Sequence, residues 1–127
     1  NISVGLFDER RDLKFLSSID TDSRKTADQI SIDLMNIFSL YRYDLRDVSG
    51  AIFSSVVPPI NFMMAKALTR LLGKPPMIVG PGVKTGLNIR MEIHNQLGGS
   101  GQVPHTHHYD RHGHRHHHFL YLQQAQL

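Results

Sequence analysis

Apolar residues in the first part of the chain fall into short runs separated by charged turns. Residues 2–7 and 13–19 are rich in Ile, Val, Leu and Phe, and the charged run of residues 8–12 lies between them. Two short apolar runs on either side of a polar turn are typical of a β-hairpin. The pattern therefore predicts two antiparallel strands in this part of the chain.

The next segment has the period of an amphipathic helix. Thr26 and Gln29 have the spacing of a capping box, in which each side chain bonds the backbone amide of the other residue. Beyond them, apolar side chains recur at helical intervals, at Ile30, Leu34, Ile37, Phe38 and Tyr41. We expect a helix over about residues 26–43 with this stripe in the core.

A nearly continuous apolar run over residues 48–57 is bounded on its far side by Pro58 and Pro59. Such a run predicts a parallel central strand that is buried on both faces. The two prolines suit the first turn of a second helix, because an amide donor is not needed there, and Gly73 is expected to end that helix. Apolar residues at helical spacing between these points again predict a core-facing side.

Two further short strands are predicted after the second helix. Residues 77–79 have the composition of a short buried strand, and residues 87–93 that of another. The loop between them is rich in glycine. Up to residue 79, the order β-β-α-β-α-β predicts an α/β fold in which helices connect the buried strands.

Composition narrows the classes of function. The chain of 127 residues, 40% apolar, suffices for one domain, and it has no cysteine, which excludes a disulfide, a thiolate metal site and a catalytic thiol. The formal net charge is +3, but Lys and Arg alternate with Asp and form no basic stripe, so we expect no nucleic-acid partner. Eighteen consecutive apolar residues occur nowhere, so we expect no membrane partner and a cytoplasmic protein.

Four stretches of the chain together resemble a known family. They read N-I-S-V-G-L-F-D at residues 1–8, S-R-K-T-A-D at residues 23–28, S-S-V-V-P at residues 54–58 and G-P-G-V-K-T-G-L at residues 80–87. Over about residues 1–95 the sequence is similar to the type III pantothenate kinases, and the last two stretches are the most specific. The resemblance implies an incomplete N-terminal domain of the actin-like, Hsp70-like and sugar-kinase (ribonuclease H-like) group.

The resemblance also implies where ligands bind. Asn1 would be the last residue of an aspartate-x-glycine-asparagine-threonine-asparagine loop that turns between two strands and holds ATP phosphates, which makes Asn1, Ile2 and Ser3 candidates for nucleotide binding. A loop on the substrate side would include Ser54, Ser55, Gly82, Lys84, Thr85 and Gly86. From the residues alone, the two serines could equally serve close packing, and residues 80–86 could be an ordinary connecting loop.

The activity implied by the resemblance is the ATP-dependent phosphorylation of pantothenate to 4'-phosphopantothenate, the first step of coenzyme A biosynthesis. Mg²⁺, a monovalent cation (K⁺ or NH₄⁺) and a homodimer are implied with it. Family members continue beyond the equivalent of Asn95 to glycine-alanine-aspartate-arginine, which supplies the catalytic base and a substrate-binding arginine. Residues 96–102 read Q-L-G-G-S-G-Q instead, and the acidic part of the phosphate loop is absent. We therefore assign no catalytic residue and expect a truncated, inactive chain.

A histidine-rich tract occupies the end of the sequence. Its eight histidines are His105, His107, His108, His112, His114, His116, His117 and His118. Clustered imidazoles bind nickel, zinc or copper, so an alternative function is a non-enzymatic α/β module with a metal-binding tail. We predict that residues 96–127 form a non-homologous tail without a fold of its own, because residues 98–118 have almost no apolar periodicity. Any metal affinity of its histidines is expected to be incidental.

The codons of this tract offer a different explanation for its composition. Every His codon begins with CA and ends in C or T, so a reading frame one base forward converts His into isoleucine or threonine in this context. From His107 onward, the shifted frame permits I-I-M-I-D-M-G-T-A-T-T-T-F. This string resembles a strand followed by the second phosphate motif of the family, D-x-G-T-A-T-T. We therefore expect a shift of reading frame after about residue 95.

Overall fold

The computed structural model describes residues 1–20, 22, 24–80 and 117–124 of the chain. Along the chain, its elements are β1 (Ile2–Asp8), β2 (Leu13–Ile19), α1 (Ala27–Tyr41), a 3₁₀ turn (Leu45–Asp47), β3 (Val48–Ser54), α2 (Pro58–Leu72), β4 (Met77–Val79) and β5 (His118–Gln124). This is a mixed α/β fold, as predicted. The strand predicted over residues 87–93 lies outside the described residues.

The five strands form one sheet in the order β2-β1-β5-β3-β4. β1 is antiparallel to both β2 and β5, which confirms the predicted hairpin. β3 is parallel to both β5 and β4, as expected of a central strand. Its predicted burial on both faces is only partly correct. Ala51 and Phe53 are buried, whereas Ile52 and Ser54, which point to the opposite face, are half-buried.

β5 contradicts the expectation that residues 96–127 have no fold of their own. The segment pairs with β1 along one side and with β3 along the other, so both sides of its backbone take part in the sheet. Leu120 and Leu122 are buried on the face that carries the main core. The apolar run of residues 119–122 favours a strand, and burial between two partners stabilises it. Of the other tail residues, the structure describes only His117.

β4 also differs from its prediction. Among the described residues, it is a strand of three residues at the edge of the sheet, paired only with β3. Met77 is 62% exposed and Ile78 is 40% exposed, although their composition predicted a buried strand. An edge strand has a neighbour on one side only, and the apolar run cannot distinguish an edge from a centre.

The N-terminus of α1 is fixed by the predicted capping box. The Gln29 amide donates to Thr26 Oγ1 at 3.2 Å, and the Thr26 amide donates to Gln29 Oε1 at 2.9 Å. Both bonds satisfy amides that have no partner within the helix. The helix therefore begins at Ala27, and its apolar stripe faces the sheet.

Replacing Thr26 with alanine is expected to lower the free energy of unfolding by about 1 kcal/mol, because the Gln29 amide loses its acceptor. Urea denaturation followed by circular dichroism measures the change. Thr69→Ala on α2 is the matched control, since the exposed Thr69 hydroxyl only donates back to the Ala65 carbonyl within its helix. Equal losses in the two variants would show that the cap contributes nothing.

α2 begins and ends where the sequence predicted. Pro58 and Pro59 occupy its first two positions, and Gly73 follows it with φ +78°, donating its amide to the Thr69 carbonyl at 2.9 Å. This left-handed conformation favours glycine. Each helix has 15 residues, and no helix in the described part of the chain is long and apolar enough to cross a membrane.

The two helices pack together on one face of the sheet. Phe15 of β2 lies at the centre of an aromatic group, stacked on Tyr41 at 4.7 Å between ring centroids and edge-on to Phe38 at 5.4 Å. Asp28, in the first turn of α1, forms an exposed ion pair with Arg70, in the last turn of α2. The contact lowers the pKa of Asp28 through the hydrogen bond from Arg70 and its positive charge. The two helices are thus joined by core packing, with one ion pair at the surface.

The turn between β1 and β2 is organised by Asp8. Its Oδ1 accepts hydrogen bonds from the Arg10 and Asp12 amides, each at 2.9 Å, and its Oδ2 lies 3.1 Å from Lys14 Nζ. Burial alone would raise the pKa of Asp8, but these hydrogen bonds and the ammonium group together lower it. The ionised carboxylate therefore stabilises the turn.

The stability of the chain is expected to decrease in acid partly through Asp8. Since its pKa is lower in the folded chain than in the unfolded chain, its contribution is present above the ordinary value of about 4 and is lost as the pH falls through the folded value. Asp8→Asn should therefore show a shallower loss of stability below about pH 4 than the unmodified chain. Urea denaturation between pH 2 and 7 tests this, with Asp12→Asn as a control of equal charge change. Identical slopes for the Asp8 variant and the unmodified chain would contradict it.

Candidate functional site

The predicted ligand-binding residues lie along one edge of the sheet. This edge is formed by the ends of the strands, not by an outer strand. The parallel strands β3, β4 and β5 all end there, because Ser54 pairs with both Val79 and Gln123. β1 runs the other way and begins at this edge, where Ile2 pairs with Gln124 and Ile19. Ligands of open α/β sheets bind outside the carboxyl ends of the parallel strands. We call this edge, with Asn1, Ile2, Ser3, Ser54, Ser55 and Gln124, the carboxyl edge.

The two groups of predicted residues share this edge but do not touch. β5 lies between β1 and β3, so the backbones of Ser3 and Ser54 are separated by two strand spacings, about 10 Å. Asn1 is exposed and Ser3 is half-buried, whereas the Ile2 side chain belongs to the core.

Ser55 is buried and links three strands to the start of α2. Its Oγ donates to Gln124 Oε1 at 2.6 Å and accepts a hydrogen bond from the Val57 amide at 3.1 Å. Its own amide donates to the Val79 carbonyl at 3.2 Å. The hydroxyl therefore holds the carboxyl edge together, a role beyond the close packing considered from the sequence.

Gln124 is a residue of this edge that sequence reasoning missed. Its part in the network depends on the register of β5, which places it beside Ile2 and next to Ser55. The sequence around it gives no local signal of such a contact. Ser54, by contrast, points to the face of the sheet opposite Ser55 and is half-buried.

An open depression of about 300 Å³ lies beside the same edge, at the end of β2. It is lined by Ser18, Ile19, Asp20, Lys25, Asp33, Asn36 and Ile37. Lys25 Nζ lies 2.6 Å from Asp33 Oδ2 and 3.4 Å from the Asp20 carbonyl. The ammonium is thus held at the edge where phosphates are expected, and its position within S-R-K-T-A-D was the only signal in the sequence.

The described residues do not form a site for Mg²⁺ or another metal. Within residues 1–20, 22, 24–80 and 117–124, no group of three His, Cys, Asp or Glu side chains could hold an ion. Asp20 and Asp33 both line the depression, but two carboxylates with a neighbouring ammonium do not amount to the oxygen cage that Mg²⁺ requires.

Several predicted site residues cannot be placed. Gly82, Lys84, Thr85 and Gly86 lie outside the described residues. Gly80, which precedes them, follows the end of β4 and so lies at the carboxyl edge. β4 therefore ends at the expected edge, and the roles of Gly82, Lys84, Thr85 and Gly86 stay predictions.

Two residues of the histidine-rich tract lie within the described residues. His118 is buried, with its ring edge-on to Tyr43 at 5.4 Å between centroids, so it is part of the fold. His117 Nδ1 lies 2.9 Å from Ser49 Oγ, and the His117 amide donates to Glu9 Oε1 at 3.2 Å. Both therefore anchor the start of β5. His105, His107, His108, His112, His114 and His116 lie outside the described residues.

Comparison with known proteins identifies the family. The model of the type III pantothenate kinase family matches residues 1–103. Type III pantothenate kinases of Listeria welshimeri, Listeria monocytogenes and Listeria innocua are each 37% identical over 98 residues, which cover 77% of this chain. The matched segment spans 38% of the length of these relatives. The family model covers β1 to β4 and every residue of the carboxyl edge except Gln124, and the chain belongs to the type III pantothenate kinase family.

Proposed function

We propose that this chain supplies one wall of a kinase site in which ATP phosphorylates the primary hydroxyl of pantothenate. The observation that supports the proposal is that Asn1, Ile2 and Ser3 lie along the same carboxyl edge as Ser54 and Ser55, two strands apart. In this arrangement, backbone amides near Asn1 would approach the phosphates, and the β3 side would face pantothenate. The proposal includes an actin-like fold, a cytoplasmic location, a homodimer, and Mg²⁺ with K⁺ or NH₄⁺ as family cofactors.

Lys25 fits the nucleotide side of this wall. Its ammonium lies beside the carboxyl end of β2, and the last residue of that strand, Ile19, pairs with Ile2. A fixed positive charge stabilises phosphate oxygens, and phosphoryl transfer depends on positioning and charge neutralisation. The pairing of Lys25 with Asp33 would hold the amine in place until a more strongly charged anion arrives.

We further propose that this chain does not carry out the transfer by itself. The glycine-alanine-aspartate-arginine motif of the family does not occur after Asn95, and residues 96–102 have neither carboxylate nor arginine. Without a base for the pantothenate hydroxyl, the wall could bind ligand and still give no turnover.

Titration of the isotopically labelled chain with Mg-ATP tests where nucleotide binds. Amide resonances of Ile2, Ser3 and Lys25 should shift in a saturable way, while those of Arg10 and Arg11, in the turn at the opposite edge, should not. Lys25→Met should weaken the response, and Lys14→Met, which also removes an ammonium, should leave it unchanged. Shifts confined to the opposite edge, or none at all, would contradict the proposal.

We also propose that a shifted reading frame accounts for residues 107–119. The proposal rests on the string I-I-M-I-D-M-G-T-A-T-T-T-F, which the codons permit when the reading frame is shifted forward by one base. The nucleotide sequence of this segment tests it directly. Codons that do not spell the phosphate motif in the shifted frame would refute it and would favour selection for histidine itself.

A further inference from the structure

Lys25 and Asp33, which both line the open depression at the end of β2, form an ion pair with each other. The Lys25 Nζ atom lies 2.6 Å from Asp33 Oδ2, and the two side chains are only 21% and 32% exposed. Asp33 Oδ2 is itself shielded from solvent, and among the described residues its only polar partner is this ammonium. The positive charge that a phosphate would meet in the depression is therefore already compensated.

Asp33 is not needed to keep the ammonium at the depression. Lys25 Nζ also donates to the Asp20 carbonyl at 3.4 Å, so a second contact holds it near the end of β2. Ser18 and Asn36, both exposed, line the same depression and carry neutral hydrogen-bond donors. Without the charge of Asp33, the depression would keep its ammonium and these donors.

A ligand phosphate and the Asp33 carboxylate need the same ammonium. A phosphate that draws Lys25 away leaves the shielded Asp33 oxygen without a counterion, and an uncompensated carboxylate inside a protein costs free energy. An asparagine at this position would have the same shape and no charge to compensate. One substitution therefore removes the cost and leaves the depression otherwise intact.

We propose that Asp33 competes with ligand phosphate for Lys25 and thereby limits the phosphate affinity of the carboxyl edge. This inference rests on the proposed function, in which the Lys25 ammonium lies on the nucleotide side. The competing carboxylate belongs to the protein, so its effective concentration is high whatever the concentration of ligand. Removal of its charge should therefore strengthen phosphate binding, whereas removal of the Lys25 charge should weaken it.

Titration of the isotopically labelled full chain with inorganic tripolyphosphate, followed by the shifts of its amide resonances, tests the competition. Asp33→Asn should lower Kd by a factor of about two to five, the range implied by measured ion pairs of similar exposure. Lys25→Met should raise Kd. The matched control is Asp12→Asn, which removes an equal charge from the turn between β1 and β2 and should leave Kd unchanged.

The double variant Lys25→Met/Asp33→Asn separates this competition from a general effect of charge. If Asp33 acts through Lys25, its substitution should change Kd little once Lys25 has been replaced. An equal gain with and without Lys25 would overturn the inference. No gain from Asp33→Asn, while Lys25→Met weakens binding, would overturn it too and leave the proposed function standing.

Two further results complete the test. If Lys25→Met has no effect, or if no variant binds tripolyphosphate in a saturable way, both the inference and the nucleotide-binding role proposed for Lys25 fail. Asp33→Ala removes the same charge with a residue that favours helix, so it should give a gain of the same sign as Asp33→Asn. The outcome therefore does not depend on the folding of one variant.

Discussion

Replacing Leu122 with aspartate is expected to abolish the cooperative unfolding transition of this chain. The side chain is 0% exposed and lies in the central strand between Val4 and Phe53. An unpaired carboxylate at such a position costs several kcal/mol, and domains of this size have total stabilities at the low end of about 5–15 kcal/mol. Circular dichroism during heating and in urea measures the effect.

Two milder substitutions in the same strand calibrate this result. Leu122→Ala should lower the free energy of unfolding by about 2–5 kcal/mol through the loss of buried methyl groups. Phe119→Ala should cost less than about 1 kcal/mol, because Phe119 is 42% exposed on the opposite face. If the aspartate variant unfolds like the unmodified chain, β5 does not lie at the centre of the sheet.

The purified chain is expected to form no measurable 4'-phosphopantothenate from pantothenate and Mg-ATP. A positioned general base alone contributes about 10²- to 10⁴-fold to proton transfer, and the sequence after Asn95 offers no counterpart of the family base. The rate of phosphorylation should therefore be lower than that of a full-length relative by a factor of at least about 10². Mass spectrometry of the product, with added K⁺, is the measurement.

The type III pantothenate kinase of Listeria monocytogenes, assayed in parallel, is the positive control for this prediction. The host enzyme must be removed, because a trace of it would mimic activity. A preparation in which Lys25→Met and the unmodified chain show the same residual rate identifies such contamination. The prediction would be contradicted if the unmodified chain, but not Lys25→Met, gave a rate close to that of the Listeria monocytogenes enzyme.

Local signals predicted most of the fold up to Val79. The capping box at Thr26 and Gln29 fixed the start of α1, and Pro58 with Gly73 fixed the limits of α2. Each of these depends on residues within one or two turns of chain, so the sequence alone is sufficient to find it. The exposure of β4 was missed, because an apolar run does not reveal whether the strand has one neighbour or two.

The strand β5, in the middle of the sheet, could not be predicted with the same reasoning. The apolar run of residues 119–122 is short and follows a tract of histidines that has no apolar period. Its position depends on pairing with β1 and β3, which lie more than 60 residues away along the chain. Non-local pairing of this kind leaves no local pattern, and the prediction of an unfolded tail was wrong for β5.

The order of strands and helices was sufficient to expect Ser54 and Ser55 at the carboxyl end of β3, but not to predict their contacts. The hydrogen bond of Ser55 with Gln124, and the pairing of Lys25 with Asp33, both follow from tertiary packing. These contacts determine which groups remain available to a ligand. Such contacts could not be inferred from the sequence.

Amide hydrogen exchange of the unmodified chain tests the central claim, that the C-terminal strand β5 completes the sheet and so forms the carboxyl edge. Amides whose exchange requires global unfolding lie in central strands. We expect the amides of Leu120, Tyr121 and Leu122 to be protected as strongly as those of Val4 and Leu6. Rapid exchange throughout His118–Gln124, alongside strong protection of β1, would contradict the account.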